Sequence, residues 1–86
     1  GNFMFTIKIK TEYPLKMQEE QVLQQTAAET GERVQCSMEG TNYTFSGDST
    51  AERLAYLFGT AVGSCRPYAI VSLLFAYEKS DQDVSG

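Results

Sequence analysis

The sequence predicts an α+β fold of four strands and two helices, and three patterns within its 86 residues carry that expectation. Phe3, Phe5, Ile7 and Ile9 alternate with Met4, Thr6, Lys8 and Lys10, the period of two that belongs to a strand with one buried face. Ala51, Leu54, Ala55, Phe58, Ala61 and Val62 recur at helical spacing and form one apolar stripe. Between these segments, two short alternating runs flank a glycine-containing pair, as in a hairpin.

Taken in order, the first strand covers residues 3–10 and is broken by Glu12-Tyr13-Pro14. Leu15, Val22, Leu23, Thr26 and Ala27 then fall on one side of a helix over residues 14–30, with Gln and Glu on its outer face and Gly31 as its stop. Val34, Cys36 and Met38 make the inward set of a second strand; Tyr43 and Phe45 make that of a third. With Gly40-Thr41 as a two-residue loop, Met38 pairs with Tyr43 and Cys36 with Phe45 on one face, and Ser37 meets Thr44 on the other. Ser49-Thr50-Ala51-Glu52 has the spacing of a capping box and opens a second helix over residues 49–62, which stops near Gly63. Gly59 inside that helix costs about 1 kcal/mol relative to alanine, so a close neighbour is expected there. The last segment, residues 68–77, is apolar except for Ser72; its β-branched Ile70 and Val71 and its flanking aromatics favour a strand over a helix opened by Pro67.

Strand, helix, strand, strand, helix, strand is the order of the ferredoxin-like split βαβ fold, an antiparallel sheet with two helices on one face. One domain over residues 1–80 is expected, followed by a polar, frayed tail over 81–86. Many unrelated functions share this architecture, so function has to be sought in particular residues.

Composition narrows the field. With 42% hydrophobic and 21% charged residues the chain is globular and not disordered. No apolar run, that over residues 73–77 included, exceeds five residues, far short of the about 20 a membrane-spanning helix needs. Lys8 and Lys10 follow the first apolar stretch instead of preceding it, so no signal peptide is read and a cytoplasmic location is expected. A net charge of −4 opposes binding to nucleic acid, and Lys8, Lys10 and Lys16 read as a solvated rim.

Catalytic chemistry finds little purchase. The chain has no histidine, which removes imidazole bases and the commonest nitrogen ligand for metals. Cys36 and Cys65, with 28 residues between them, cannot form a structural zinc site, and no cofactor is expected. Cys65 beside Arg66 is the better placed thiol, yet a small packed residue is the simpler account. The two cysteines are expected to stay unbridged, at opposite edges of the sheet. Two families of this topology fail at the residues that would act. Acylphosphatases carry a phosphate-cradling loop with arginine where this chain has Thr11-Glu12-Tyr13-Pro14; the RNA-recognition motif exposes aromatics that here share the inward alternation of Phe3, Phe5, Tyr43 and Phe45. Asp48 and Glu52 suit a helix start on dipole grounds alone.

The unusual element is the last strand, apolar on both faces. Tyr68, Ile70, Ser72 and Leu74 fall on one face and Val71, Leu73, Phe75 and Tyr77 on the other, while the topology makes the strand a sheet edge. One face packs on the helices, so Tyr68, Ile70, Ser72 and Leu74 are expected to meet a protein partner or a second copy in a homodimer. The expected function is a non-enzymatic protein–protein interaction domain. In size and charge the chain is similar to phage-encoded inhibitors such as anti-CRISPR proteins, a likeness of bulk properties without a shared motif. The competing expectation is a dimeric regulatory domain that senses a small ligand between helices and sheet.

Overall fold

The computed structural model describes residues 1–80; the expected tail over 81–86 lies outside the described residues. Strand β1 (Asn2–Thr11) leads to helix α1 (Met17–Thr30), the hairpin β2 (Gln35–Glu39) and β3 (Asn42–Thr50), helix α2 (Ala51–Cys65), a 3₁₀ turn (Arg66–Tyr68) and strand β4 (Ile70–Lys79). The four strands form one antiparallel sheet in the order β2-β3-β1-β4. The helices pack on each other, with α1 against β2 and α2 against β1 and β3.

Alternation in the sequence sets the core. Phe5, Ile7 and Ile9 from β1 and Tyr43 and Phe45 from β3 point to the helices and are buried against Leu23 and Ala27 of α1 and Leu54, Leu57, Ala61 and Cys65 of α2. The hairpin has the expected register, Met38 opposite Tyr43 and Cys36 opposite Phe45, because Gly40 takes the left-handed conformation (φ 61°) that its two-residue loop requires.

Several boundaries differ from expectation for identifiable reasons. Helix α1 begins at Met17, three residues after Pro14; Leu15 is held ahead of it by its own backbone N–H, which donates to the Tyr43 hydroxyl at 2.8 Å. Val22, expected inward, lies exposed on the flank of α1, whose inner face is Leu23, Thr26, Ala27 and Thr30. The two threonines bury their hydroxyls by donating to Val22 O (2.8 Å) and Thr26 O (2.7 Å). Gly31 ends α1 in extended backbone, not in a left-handed cap.

The expected capping box at Ser49 is displaced by one residue. Strand β3 continues to Thr50 because it stays paired with β1 as far as Asn2, so Thr50 becomes the N-cap and accepts from the Arg53 backbone N–H at 3.3 Å. Ser49 instead turns inward and donates to Thr30 O at 3.4 Å, joining α1 to β3. At its other end α2 runs three residues beyond Val62, carrying Cys65 into the core.

Candidate protein interface

The geometry of β4 follows from its two ends. At the far end the Ser80 N–H donates to Asn2 O at 3.0 Å, which makes that directly opposed pair a hydrogen-bonded one. Bonded and non-bonded pairs alternate along an antiparallel ladder, so Glu78, Ala76 and Leu74 turn their amides toward β1. The backbone N–H and C=O groups of Leu73, Phe75 and Tyr77 therefore point away from β1, to the open edge of the sheet.

At the near end the ladder slips by one residue: Lys10 pairs with Ser72, but Thr11 pairs with Ile70. Val71 is the extra residue of this bulge. Ala69 just before it holds a positive φ of 62°, and its carbonyl accepts from the Glu12 N–H at 2.8 Å. The slip changes which side chains share a face. Ile70 sits beside buried Thr11 and packs against the core; Tyr68, in the 3₁₀ turn, also packs there and donates its hydroxyl to Glu19 Oε1 at 2.8 Å. Ser72 and Leu74 stand on the outer face of the sheet, opposite Lys10 and Lys8. The four residues expected to form one surface are thus divided, with Tyr68 and Ile70 on the core side and Ser72 and Leu74 on the other.

A different row is left open. Leu73, Phe75 and Tyr77 pair with Ile9, Ile7 and Phe5 and so lie on the helix side of the sheet. Yet α2 sits over β1 and β3, and the row beyond them remains in water: Val71 is 60% exposed, Leu73 44%, Phe75 39% and Tyr77 60%. The aromatics within it are ordered by one another. Phe58 of α2 stacks on Phe75 (centroids 4.8 Å apart, planes at 25°), Phe75 leans on Tyr77 (5.3 Å, 38°), and Phe3 meets Tyr77 edge-on (5.5 Å, 84°). On α2, Gly59 and Gly63 have open space where a side chain would stand, in place of the close neighbour expected at Gly59. On the outer face, Leu74 (49%) and Met4 (52%) add exposed apolar area. No charged side chain occurs in β4 before Glu78.

The thiols are poor nucleophiles in this setting. Both are free, and burial holds them protonated, Cys36 up to about 12 and Cys65 up to about 11. After burial, the Cys65 thiolate also disfavours ionisation at Cys36. Among the described residues, no three His, Cys, Asp or Glu side chains converge as a metal site, and no helix is long and apolar enough to cross a membrane.

The described chain is thus a compact α+β domain whose most distinctive surface is an uncovered apolar edge strand. No family model matches it, and no curated protein or solved structure does so either.

Proposed function

We propose that the chain is a non-enzymatic protein–protein interaction domain of the split βαβ type, and that β4 is its binding strand. Read from the β4 edge, the strand order is 4-1-3-2, with β1 and β3 central, and this supports the ferredoxin-like label. The observation that carries the functional reading is that Leu73, Phe75 and Tyr77 present backbone groups with no strand partner among the described residues and half-exposed apolar side chains on the same strand. Proteins that remain alone blunt such edges with charge, proline, a bulge along the strand or a covering loop. Here the bulge stands only at the start of β4, and residues 71–77 carry neither charge nor proline. An added strand satisfies the backbone, and the side chains lose water contact in the same step.

Replacing Leu73 with lysine tests this. The position is nearly half in water, so the variant keeps its circular dichroism spectrum while losing association, whether with itself by light scattering or with a protein captured by the wild-type chain. A wild-type chain that is monomeric at millimolar concentration and captures no protein through Leu73 overturns the proposal.

A further inference from the structure

We infer that the strand completing the β4 edge is β4 of a second copy, paired antiparallel about a two-fold axis at Leu74. This rests on the reading of β4 as a binding strand and specifies what binds it. A two-fold perpendicular to the sheet keeps the helices of both copies on one side, and it pairs odd residues with odd and even with even. Only a few registers then overlap most of the strand.

Centred on Leu74, the helix side pairs Leu73 with Phe75 of the second copy and Val71 with Tyr77 of the second copy, each twice, so the four exposed members of the row meet one another. The outer face pairs Leu74 with itself and Ser72 with Ala76 of the second copy. Centred on Phe75, Val71 would oppose Lys79; centred on Leu73, Tyr77 would oppose Ala69, which lies before the strand and in a left-handed conformation. Apolar matching therefore selects Leu74. The outward amides agree, since Leu73 and Phe75 become hydrogen-bonded partners and the Leu74 pair falls at a non-bonded position with Cα atoms about 4.5 Å apart.

The area suffices. Taking about 200 Å² for each side chain when fully open, Val71, Leu73, Leu74, Phe75 and Tyr77 expose roughly 500 Å² of apolar surface per chain. Fully covered, two such surfaces with the strand backbones reach the about 1,000 Å² at which an interface becomes specific. An eight-stranded sheet is also within the ordinary range. Because each chain carries −4, the pairing tightens as salt rises.

The test uses the whole chain with Cys36→Ser and Cys65→Ala, so that an introduced cysteine is the only thiol. Added Leu74→Cys is expected to give a covalent dimer under mild oxidation, because its Cα separation lies within the roughly 4.4–6.8 Å range for bridging. Ala76→Cys alone is expected to cross-link little, and Ser72→Cys with Ala76→Cys is expected to restore the dimer. Circular dichroism verifies that each variant is folded. A dimer by light scattering that cross-links through Phe75→Cys or Leu73→Cys in preference to Leu74→Cys overturns the register. A monomer that captures a different protein through Leu73 overturns the second copy while leaving β4 as a binding strand; a monomer with no such capture overturns both.

Discussion

Phe58 on α2 stacks over Phe75 on β4 with ring centroids 4.8 Å apart, and this contact ties the half-exposed row of β4 to the helical layer. Phe58→Ala removes the stack and part of the packing against the core. It is expected to cost about 2 kcal/mol, below the 3–5 kcal/mol of a fully buried phenylalanine because Phe58 is only half-buried. Urea unfolding reads the loss directly, and faster hydrogen exchange along β4 than along β3 would locate it.

Tyr43 makes a second prediction. Its side chain is fully buried, and its hydroxyl accepts the Leu15 N–H ahead of α1. Tyr43→Phe keeps the ring and strands a buried donor, so a loss of about 1–3 kcal/mol is expected. The Leu15 amide should exchange faster in the variant, a change that simple loss of ring packing would not single out.

The thiols give a pH dependence with a definite sign. Both have folded values above the ordinary 9.0, about 12 for Cys36 and about 11 for Cys65, chiefly through burial. Below pH 9 the thiols are protonated in both states and this contribution is fully present. Above it the unfolded chain ionises first, so stability falls from about pH 9 and continues to fall through pH 11 and 12. Cys36→Ser with Cys65→Ala should flatten that limb of an unfolding profile. At neutral pH, iodoacetamide should label Cys65 no faster than a model thiol.

Two glycines should respond to alanine with opposite signs. A Cβ at Gly47 would lie 2.3 Å from Arg33 O and 2.8 Å from Val34 Cα, so backbone must move and about 3 kcal/mol should be lost. At Gly59 nothing stands within 4 Å, and the residue lies inside α2, so Gly59→Ala should stabilise by about 1 kcal/mol. That corresponds to a melting temperature higher by about 4–8 °C for a domain of this size.

Where local pattern and turn chemistry agree, the fold was legible in the residues themselves. The Gly40-Thr41 loop fixed the register of its hairpin, and alternation placed Phe5, Ile7, Tyr43 and Phe45 in the core. What alternation does not reveal is an interruption of its own period. The bulge at Val71 depends on how β4 meets β1 around Thr11, a relationship between segments some 60 residues apart, and it moved Ile70 to the core side of the sheet. The location of an apolar edge strand could be read; the face it leaves open could not, because that depends on how far α2 reaches across the sheet. Ser49 shows the same limit on a smaller scale, since its capping spacing was overruled by pairing between β3 and β1.

The strand order also has a consequence for synthesis. Of the four strands β1 is made first and lies between β3 and β4, yet β4 is made after the other three. Until then the nascent sheet has only three strands, with β1 as its rim and one side of its backbone awaiting a partner. Phe3 finds Lys79 across nearly the full length of the described chain, a distant closure that slows folding more than the local hairpin does. Completion of the described sheet is therefore governed by the arrival of β4, and for that interval the exposed backbone belongs to β1, flanked by Phe5, Ile7 and Ile9.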